Sequence, residues 1–299
     1  MTAMPVPLKP SALEPAAVSF EFFPPSDDGM AQLLWESIQR LAPLNPRFVS
    51  VTYGADGSTR ERTHHVVARI LRETQLTPVP HLTCVGSPAG EILDIARGYW
   101  DLGVRHIVAL RGDPPTGQKG YVPHPDGFAY AVDLVRGLRK VGDFEISVAA
   151  YPEVHPEAPN AKFDLDNLRA KIDAGASRAI SQFFFEADSF LRFRDRALAA
   201  GIKVPLVPGV LPVSNFAQVT KFAAMCGAHV PGWMADLFDG LDEDMDTRRL
   251  IAASVAGDLC RRLQAEGIRD FHFYTLNRAD LTYAICHLLG VRPLAPLAS

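Results

Sequence analysis

The stretch VPHLTCVGSPAGEILDIARGYWDLGVRHIVALRGD, Val79 to Asp113, holds one complete structural unit and decides the fold. It opens on an apolar, β-branched run, Val79 to Val85. A helical period follows from Glu91 to Leu102, with Ile92, Ile95, Ala96 and Tyr99 on one face. Ser87 and Pro88 make a helix start: a hydroxyl cap, then proline at the first helical position. Gly103 closes the helix, since a glycine turns left-handed without a Cβ clash. A second strand run, His106 to Arg111, comes next. Strand, helix, glycine, strand predicts parallel strands joined by a right-handed crossover.

Outward from this stretch the unit recurs. Strand runs lie at Val18 to Phe23, Phe48 to Tyr53, Ile146 to Tyr151, Ala179 to Phe185, Val204 to Val210 and Phe271 to Leu276. Gly142, Gly175, Gly201 and Gly267 stand where further helices should stop. Eight units predict an α/β fold, a single-domain TIM-type (β/α)8 barrel over residues 16–299, a fold that typically needs about 250 residues. A doubly wound open sheet is the alternative; the unit count and the small inward residues argue against it. Two regions break the rhythm. Pro114 to Gly127 is rich in Pro and Gly and reads as a long loop on the catalytic face, a candidate lid. Trp233 to Arg262 inserts extra helix before the eighth strand, and the acidic run Asp239 to Asp246 within it reads as a solvated face.

Composition sets limits on function. The 299 residues are 47% hydrophobic and 21% charged, enough for a large core. The formal net charge is −4 and no dense Lys/Arg run occurs, so no basic footprint for nucleic acid is present. No run of about 18 apolar residues is long enough to span a membrane. Pro5, Pro7, Pro10 and Pro15 forbid an apolar signal helix, and residues 1–15 read as a flexible N-terminal extension. Cys84, Cys226, Cys260 and Cys286 form no CxxC pair and read as reduced thiols of a cytoplasmic protein.

Alternate strand residues share a face. Barrel strands are covered outside by helices, so their outer face should be apolar. The first strand then turns Val18, Phe20 and Phe22 outward and Ser19 and Glu21 inward. The second sets Val49, Val51 and Tyr53 against Ser50 and Thr52, and the third sets Leu82 and Cys84 against His81 and Thr83. The fourth places Ala109, Arg111 and Asp113 together, the fifth Ser147, Ala149 and Tyr151, and the sixth brings Gln182 to the mouth. Polar groups thus gather at the C-terminal strand ends, where barrel active sites are built. A lone ionised Glu21 in an apolar setting would cost several kcal/mol unless offset by partners. A structural ion pair of Glu21 with Arg111 would meet that need. The ring of Glu21, Thr52, His81, Arg111, Asp113, Tyr151 and Gln182 fits a site better.

Other motifs fail on inspection. No strand is followed by GxGxxG, so a Rossmann site has no support. GDPPTGQK, Gly112 to Lys119, has Gln118 in the lysine's place, and Pro114 and Pro115 lack the N–H groups that cradle phosphate. His64 and His65 diverge on a helix, Cys286 and His287 suit a core thiol and a surface or cap imidazole, and neither HExxH nor GxSxG occurs. No metal is expected.

Eight ordered segments carry a resemblance. They are SFEFFPP (Ser19 to Pro25), FVSVTYGADGSTRERT (Phe48 to Thr63), PHLTC (Pro80 to Cys84), HIVALRGDPP (His106 to Pro115), AAYPEVHPEA (Ala149 to Ala158), SQFFF (Ser181 to Phe185), PGVLPVSNF (Pro208 to Phe216) and DFHFYTLNRA (Asp270 to Ala279). From about Val18 to Pro293 the chain resembles the bacterial-type methylenetetrahydrofolate reductases, catalytic barrel only. The resemblance implies an FAD-dependent enzyme that reduces 5,10-methylenetetrahydrofolate to 5-methyltetrahydrofolate with NAD(P)H, by ping-pong hydride transfer, supplying methyl groups for methionine synthesis. It implies a cytoplasmic homo-oligomer. Glu21 matches the family's acid, which protonates the departing folate nitrogen. Asp113 matches the aspartate that stabilises the resulting cation beside the flavin. Gln182, Gln218, Phe222 and Arg278 match substrate or nicotinamide contacts.

For FAD the resemblance assigns Thr52, Tyr53, Ala55 and His81 on the second and third units, and Arg111, Gly112 and Asp113 after the fourth strand. It adds Tyr130 and Ala131, then Tyr151, His155, Ala158, Asp164, Asn167 and Lys171. The residue types agree where they speak: Arg111, His155 and Lys171 suit a pyrophosphate and Asp164 suits ribose hydroxyls. Two departures stand out. Ala170 replaces a base carried by some members, which removes one phosphate contact, and the Pro114 to Gly127 loop is longer than in members compared. Two rivals stay open at this stage. One is a flavin-free pterin barrel such as a methyltransferase; the other is a flavin- or folate-binding module without catalysis.

Overall fold

The computed structural model describes residues 16–53, 60–114 and 120–294. The expected extension over residues 1–15 lies outside the described residues, as do Ala55 and residues 115–119 of the long loop. Eight strands run in chain order: β1 (Ala17–Phe22), β2 (Val49–Val51), β3 (Pro78–Thr83), β4 (His106–Leu110), β5 (Glu145–Ala150), β6 (Arg178–Phe183), β7 (Leu206–Val210) and β8 (Asp270–Tyr274). Each pairs in parallel with the next, and β8 returns to β1, closing the barrel. Closure removes the open-sheet alternative. The β1–β8 register sets Ser19 beside His272 and Glu21 beside Tyr274.

Helices α1 (Asp28–Leu41), α2 (Arg60–Glu73), α3 (Ala89–Asp101), α4 (Ala131–Leu138), α5 (Ala161–Asp173) and α6 (Ala187–Ala199) follow the first six strands in turn. Between β7 and β8 lie three, α7 (Phe216–Cys226), α8 (Gly232–Phe238) and α9 (Met245–Ala265), which is the expected extra helix. Helix α10 (Ala279–Leu288) follows β8. The acidic run before α9 is exposed, and Asp244 caps that helix by accepting from the Thr247 N–H at 2.9 Å.

Two apolar layers hold the barrel. Outside, Val18, Phe20 and Phe22 of β1, Val49 and Val51 of β2, and Leu82 of β3 join the helices in one large core. Each fully buried side chain of this kind contributes roughly 1.5–3 kcal/mol by leaving water. Inside, a smaller plug of Phe48, Val79, Val108, Ile180 and Val207 fills the barrel floor. A third cluster, with Phe183, Phe185, Leu211, Val219 and Phe238, seats α7 and α8 over the ends of β6 and β7.

Three local expectations are corrected. On β4, Ala109 faces the outer core with Ile107, while Val108 points inward, so the phase that groups Ala109 with Arg111 and Asp113 at the mouth fails at Ala109, and the other two lie past the strand's end. The α3 cap is Pro88, and Ser87 Oγ instead accepts from Arg60 Nη2 at 3.2 Å. Gly103, Gly175, Gly201 and Gly267 do have positive φ, but Gly142 does not. A Cβ on Gly142 would lie 2.6 Å from Cε3 of Trp100, so that glycine serves close packing of the Trp100 ring.

Candidate active site

Polar side chains occupy the barrel mouth above the apolar floor. Glu21, one residue before the end of β1, points inward with its side chain 19% exposed. Its Oε2 lies 3.4 Å from Nε2 of His81 on β3 and 3.6 Å from Nε2 of His272 on β8. His81 Nε2 is buried and makes no hydrogen bond among the described residues. Burial holds the His81 imidazole below its ordinary pKa, partly opposed by the Glu21 charge. Nδ1 of His272 meets Ser19 Oγ at 2.8 Å. Tyr274, also on β8, donates its hydroxyl to the Ser181 carbonyl at 2.7 Å, and burial raises its pKa well above the ordinary phenol value.

This arrangement removes the alternative of a structural ion pair between Glu21 and Arg111. Beyond the end of β4 the Arg111 guanidinium forks onto both carboxylate oxygens of Glu157 and stacks over the Tyr121 ring at 4.6 Å. The reading of the residues thus gathered too many groups into one ring: Glu21 and His81 belong together, and Arg111 belongs to a second cluster. Gln182 is half-buried at the end of β6 and folds back, its Oε1 accepting from the Phe183 N–H at 3.0 Å. Asp113 is exposed after β4.

The second cluster runs along the β4 to β5 side. Gly112 has φ +86°, and a Cβ there would stand 2.5 Å from Val85 Cγ1, so only glycine keeps this backbone close to β3. Tyr151 packs edge-on against His155, with ring centroids 4.6 Å apart. The His155 N–H donates to Asp164 at 3.0 Å, and the Ala158 N–H donates to the His155 carbonyl at 2.8 Å. Val154, between them, has φ +77°, a left-handed conformation that costs a β-branched residue roughly 1–2 kcal/mol. On α5, Asp164, Asn167 and Lys171 follow helical spacing along one stripe. The Lys171 ammonium is buried and donates to the Ala149 carbonyl at 2.7 Å. Burial lowers its pKa to about 8. Tyr130 is exposed at the start of α4, its N–H donating to Asp133 at 3.1 Å, and Ala131 is the first residue of that helix.

Thr52 and Tyr53 lie just past β2. The Thr52 carbonyl accepts from Thr63 Oγ1 at 2.9 Å, and the Tyr53 hydroxyl accepts from Arg60 Nε at 2.7 Å. Gln218 and Phe222 sit on α7, where the Gln218 N–H is capped by Asn215 at 3.0 Å and Phe222 is half-buried on the cluster over β6 and β7. Arg278 is exposed at the start of α10. The chain's own chemistry therefore divides in two: a carboxyl between imidazoles at the mouth, and a turn-rich shelf of mixed charge beside it. The sequence reading missed His272, Tyr121 and Glu157. Strand alternation applied to DFHFY would have turned His272 and Tyr274 inward; Glu157 and Tyr121 sit in loops, where no period exists to find them.

Arg111 and Lys171 fit a diphosphate on that shelf. Lys171 is a buried cation with one neutral carbonyl partner, and Arg111 already grips a carboxylate with its fork, the geometry that suits phosphate oxygens. Among the described residues, no group of three His, Cys, Asp or Glu side chains could hold a metal ion, and no helix is long and apolar enough to cross a membrane.

Comparison with known proteins shows the family. The chain is 58% identical over 276 residues to the 5,10-methylenetetrahydrofolate reductase of Pectobacterium carotovorum subsp. carotovorum, covering 92% of this chain and 91% of the relative. The corresponding Escherichia coli (strain K12) protein matches at the same identity and coverage. Among solved structures, an uncharacterised Clostridium thermocellum protein described as binding two copies of 5-methyl-5,6,7,8-tetrahydrofolic acid superposes with a TM-score of 0.61. It is 14% identical, with 93% of this chain and 94% of that chain covered, and this likeness shows the fold alone. The family description "Methylenetetrahydrofolate reductase" matches residues 10–290, from before β1 to the end of α10. With the barrel complete inside that span and the relatives matched nearly end to end, the chain belongs to the methylenetetrahydrofolate reductase family.

Proposed function

We propose that the protein reduces 5,10-methylenetetrahydrofolate to 5-methyltetrahydrofolate, with Glu21 as the general acid. The observation that carries this reading is the Glu21 carboxyl at the barrel mouth, held between two imidazoles in a chain of this family. FAD on the Arg111–Lys171 shelf would carry hydride from NAD(P)H to the one-carbon unit in a ping-pong scheme.

The chain's own residues supply the rest. Glu21 gives its proton to the folate nitrogen that leaves the one-carbon unit, so the ring opens without a free amide-like anion. His81 and His272 exclude water from the inner side of that carboxyl. Asp113 places a negative charge opposite the cation that ring opening creates. Gln182, Gln218, Phe222 and Arg278 hold pterin or nicotinamide above the mouth. Arg111, Lys171 and His155 balance the cofactor's diphosphate, and Asp164 takes ribose hydroxyls; Thr52, Tyr53, Ala55, His81, Gly112, Tyr130, Ala131, Tyr151, Ala158 and Asn167 complete the cofactor surface. The same reading makes the protein a cytoplasmic homo-oligomer that supplies methyl groups for methionine synthesis.

General acid catalysis is worth about 10²–10⁴-fold. Glu21→Gln should lose folate reduction by about that factor while NAD(P)H still bleaches the bound flavin, read by stopped-flow absorbance near about 450 nm. Near-parent rates in both half-reactions would remove Glu21 from the role. A colourless purified protein that takes up no added FAD would favour the flavin-free rival.

A further inference from the structure

Beside Glu21 stands a buried imidazole to which the proposed chemistry gives no task beyond excluding water. His272 is 1% exposed, and every side of its ring is fixed. Phe48 stacks on its face with centroids 5.6 Å apart. The Tyr274 ring meets it at 90° and 5.5 Å. Ser19 Oγ holds Nδ1 at 2.8 Å. One polar atom remains, Nε2, and it faces Oε2 of Glu21 at 3.6 Å, the same oxygen that His81 Nε2 faces at 3.4 Å. A histidine kept only for packing has no need to bring its last nitrogen to the Glu21 carboxylate.

Resting on Glu21 as the acid, we propose that His272, with its tautomer set by Ser19, is a positioning residue that grips the inner oxygen of Glu21 and leaves Oε1 to carry the transferable proton. Ser19 has one hydroxyl proton and two acceptors in reach, Nδ1 of His272 at 2.8 Å and the Phe271 carbonyl at 3.4 Å, and the shorter contact takes it. Given to Nδ1, it leaves the proton of neutral imidazole on Nε2, aimed at Oε2. The step then balances. The Oε1–H bond of Glu21 breaks, an N–H bond forms on the leaving folate nitrogen, and the negative charge left on the carboxylate faces N–H donors from His272 and His81. Those contacts are long in the resting site and shorten as the charge develops, which makes them stronger in the transition state than before it. His272 itself gains and loses no proton. Other titratable groups facing this cluster are His81 on β3, His106 on β4, and Tyr274 and Asp270 on β8.

The test uses the flavin-loaded protein and separates the half-reactions. His272→Phe should slow flavin reoxidation by methylenetetrahydrofolate by about 10²-fold, the usual loss of one charge-stabilising donor. It should move the pH profile of that step and leave flavin reduction by NAD(P)H near the parent rate. His272→Gln, which keeps a donor, should recover part of the loss, and Ser19→Ala should act in the same direction as His272→Phe with a smaller loss. A second readout does not use turnover or depend on any variant folding: ¹⁵N NMR of imidazole-labelled protein without folate should show His272 protonated on Nε2 and bare on Nδ1. Folate half-reactions within about twofold of the parent in both His272→Phe and Ser19→Ala, or the opposite tautomer, would overturn the proposal. If Glu21→Gln keeps folate reduction while the Nε2–H tautomer is found, the acid assignment has failed and the tether has not.

Discussion

Lys171 carries a positive charge into a buried place and finds a single carbonyl there. Its pKa of about 8 lies below the ordinary 10.5 because burial disfavours the charged form. Between those two values the unfolded chain binds a proton that the fold does not, so stability rises with pH across that window and the penalty is complete below about pH 8. Lys171→Met should therefore make the cofactor-free protein more stable near pH 7, less the roughly 1 kcal/mol of its hydrogen bond to Ala149. The advantage should shrink as pH rises toward 10, and flavin affinity should fall. Urea unfolding at the two pH values, with flavin titration alongside, checks this; a variant that is less stable at pH 7 would mean the ammonium is already compensated. Glu21 and His81 were legible in the sequence because β1 and β3 put polar groups at alternating positions between apolar ones. Glu157 was not, because its reach to Arg111 depends on loop geometry between β5 and α5.

At the scale of elements, the strands were legible wherever alternation survived. β1 alternates cleanly, with Phe20 and Phe22 outward and Ser19 and Glu21 inward. β4 reads Ile107, Val108, Ala109, Leu110, apolar on both faces because one meets helices and the other the floor plug. The phase is marked by His106 alone, which shares the inner face with Val108, and the grouping of Ala109 with Arg111 and Asp113 took the opposite one. The connection after α4 offers a sharper test. Gly142 packs under the Trp100 ring, which Phe144 meets edge-on at 5.0 Å. Gly142→Ala should cost about 1–3 kcal/mol by overpacking. Combined with Trp100→Leu the two losses should not add, because the smaller side chain vacates the space that the new methyl needs. Strict additivity in urea unfolding would place the cost elsewhere.

Across the whole molecule the barrel encloses more histidine than its apolar floor suggests. His106, inside β4, donates to or accepts from Ser147 Oγ at 2.8 Å and lies edge-on to Phe48 at 4.8 Å. Burial lowers its pKa from 6.5 to about 3, with Arg178 adding to the effect. The fold thus keeps it neutral, and as pH falls from 6.5 toward 3 the unfolded chain takes up a proton that the native state refuses. Stability contributed by neutral His106 is present above pH 6.5 and is lost through that window, by up to about 1.4 kcal/mol per pH unit. His106→Asn should flatten the acid limb of the stability profile between pH 6 and about 4.5, relative to its own value at pH 7. An unchanged slope would show that other groups set the acid limit.

The β1–β8 seam has a further consequence, one of timing. Ser19 and His272 touch across 253 positions of sequence, so the two sides of the Glu21 cluster leave the ribosome at opposite ends of synthesis. Local strand–helix units can form as they emerge, but this contact cannot, and contacts of such separation come late and slowly. The barrel seam is thus also a checkpoint of birth order. The shelf built from β4 to α5 can take shape on a growing chain, whereas a chain stopped before Asp270 has no β8, no ring closure and only His81 of the two imidazoles beside Glu21. In this protein, closing the barrel and bringing the second imidazole to Glu21 are one event.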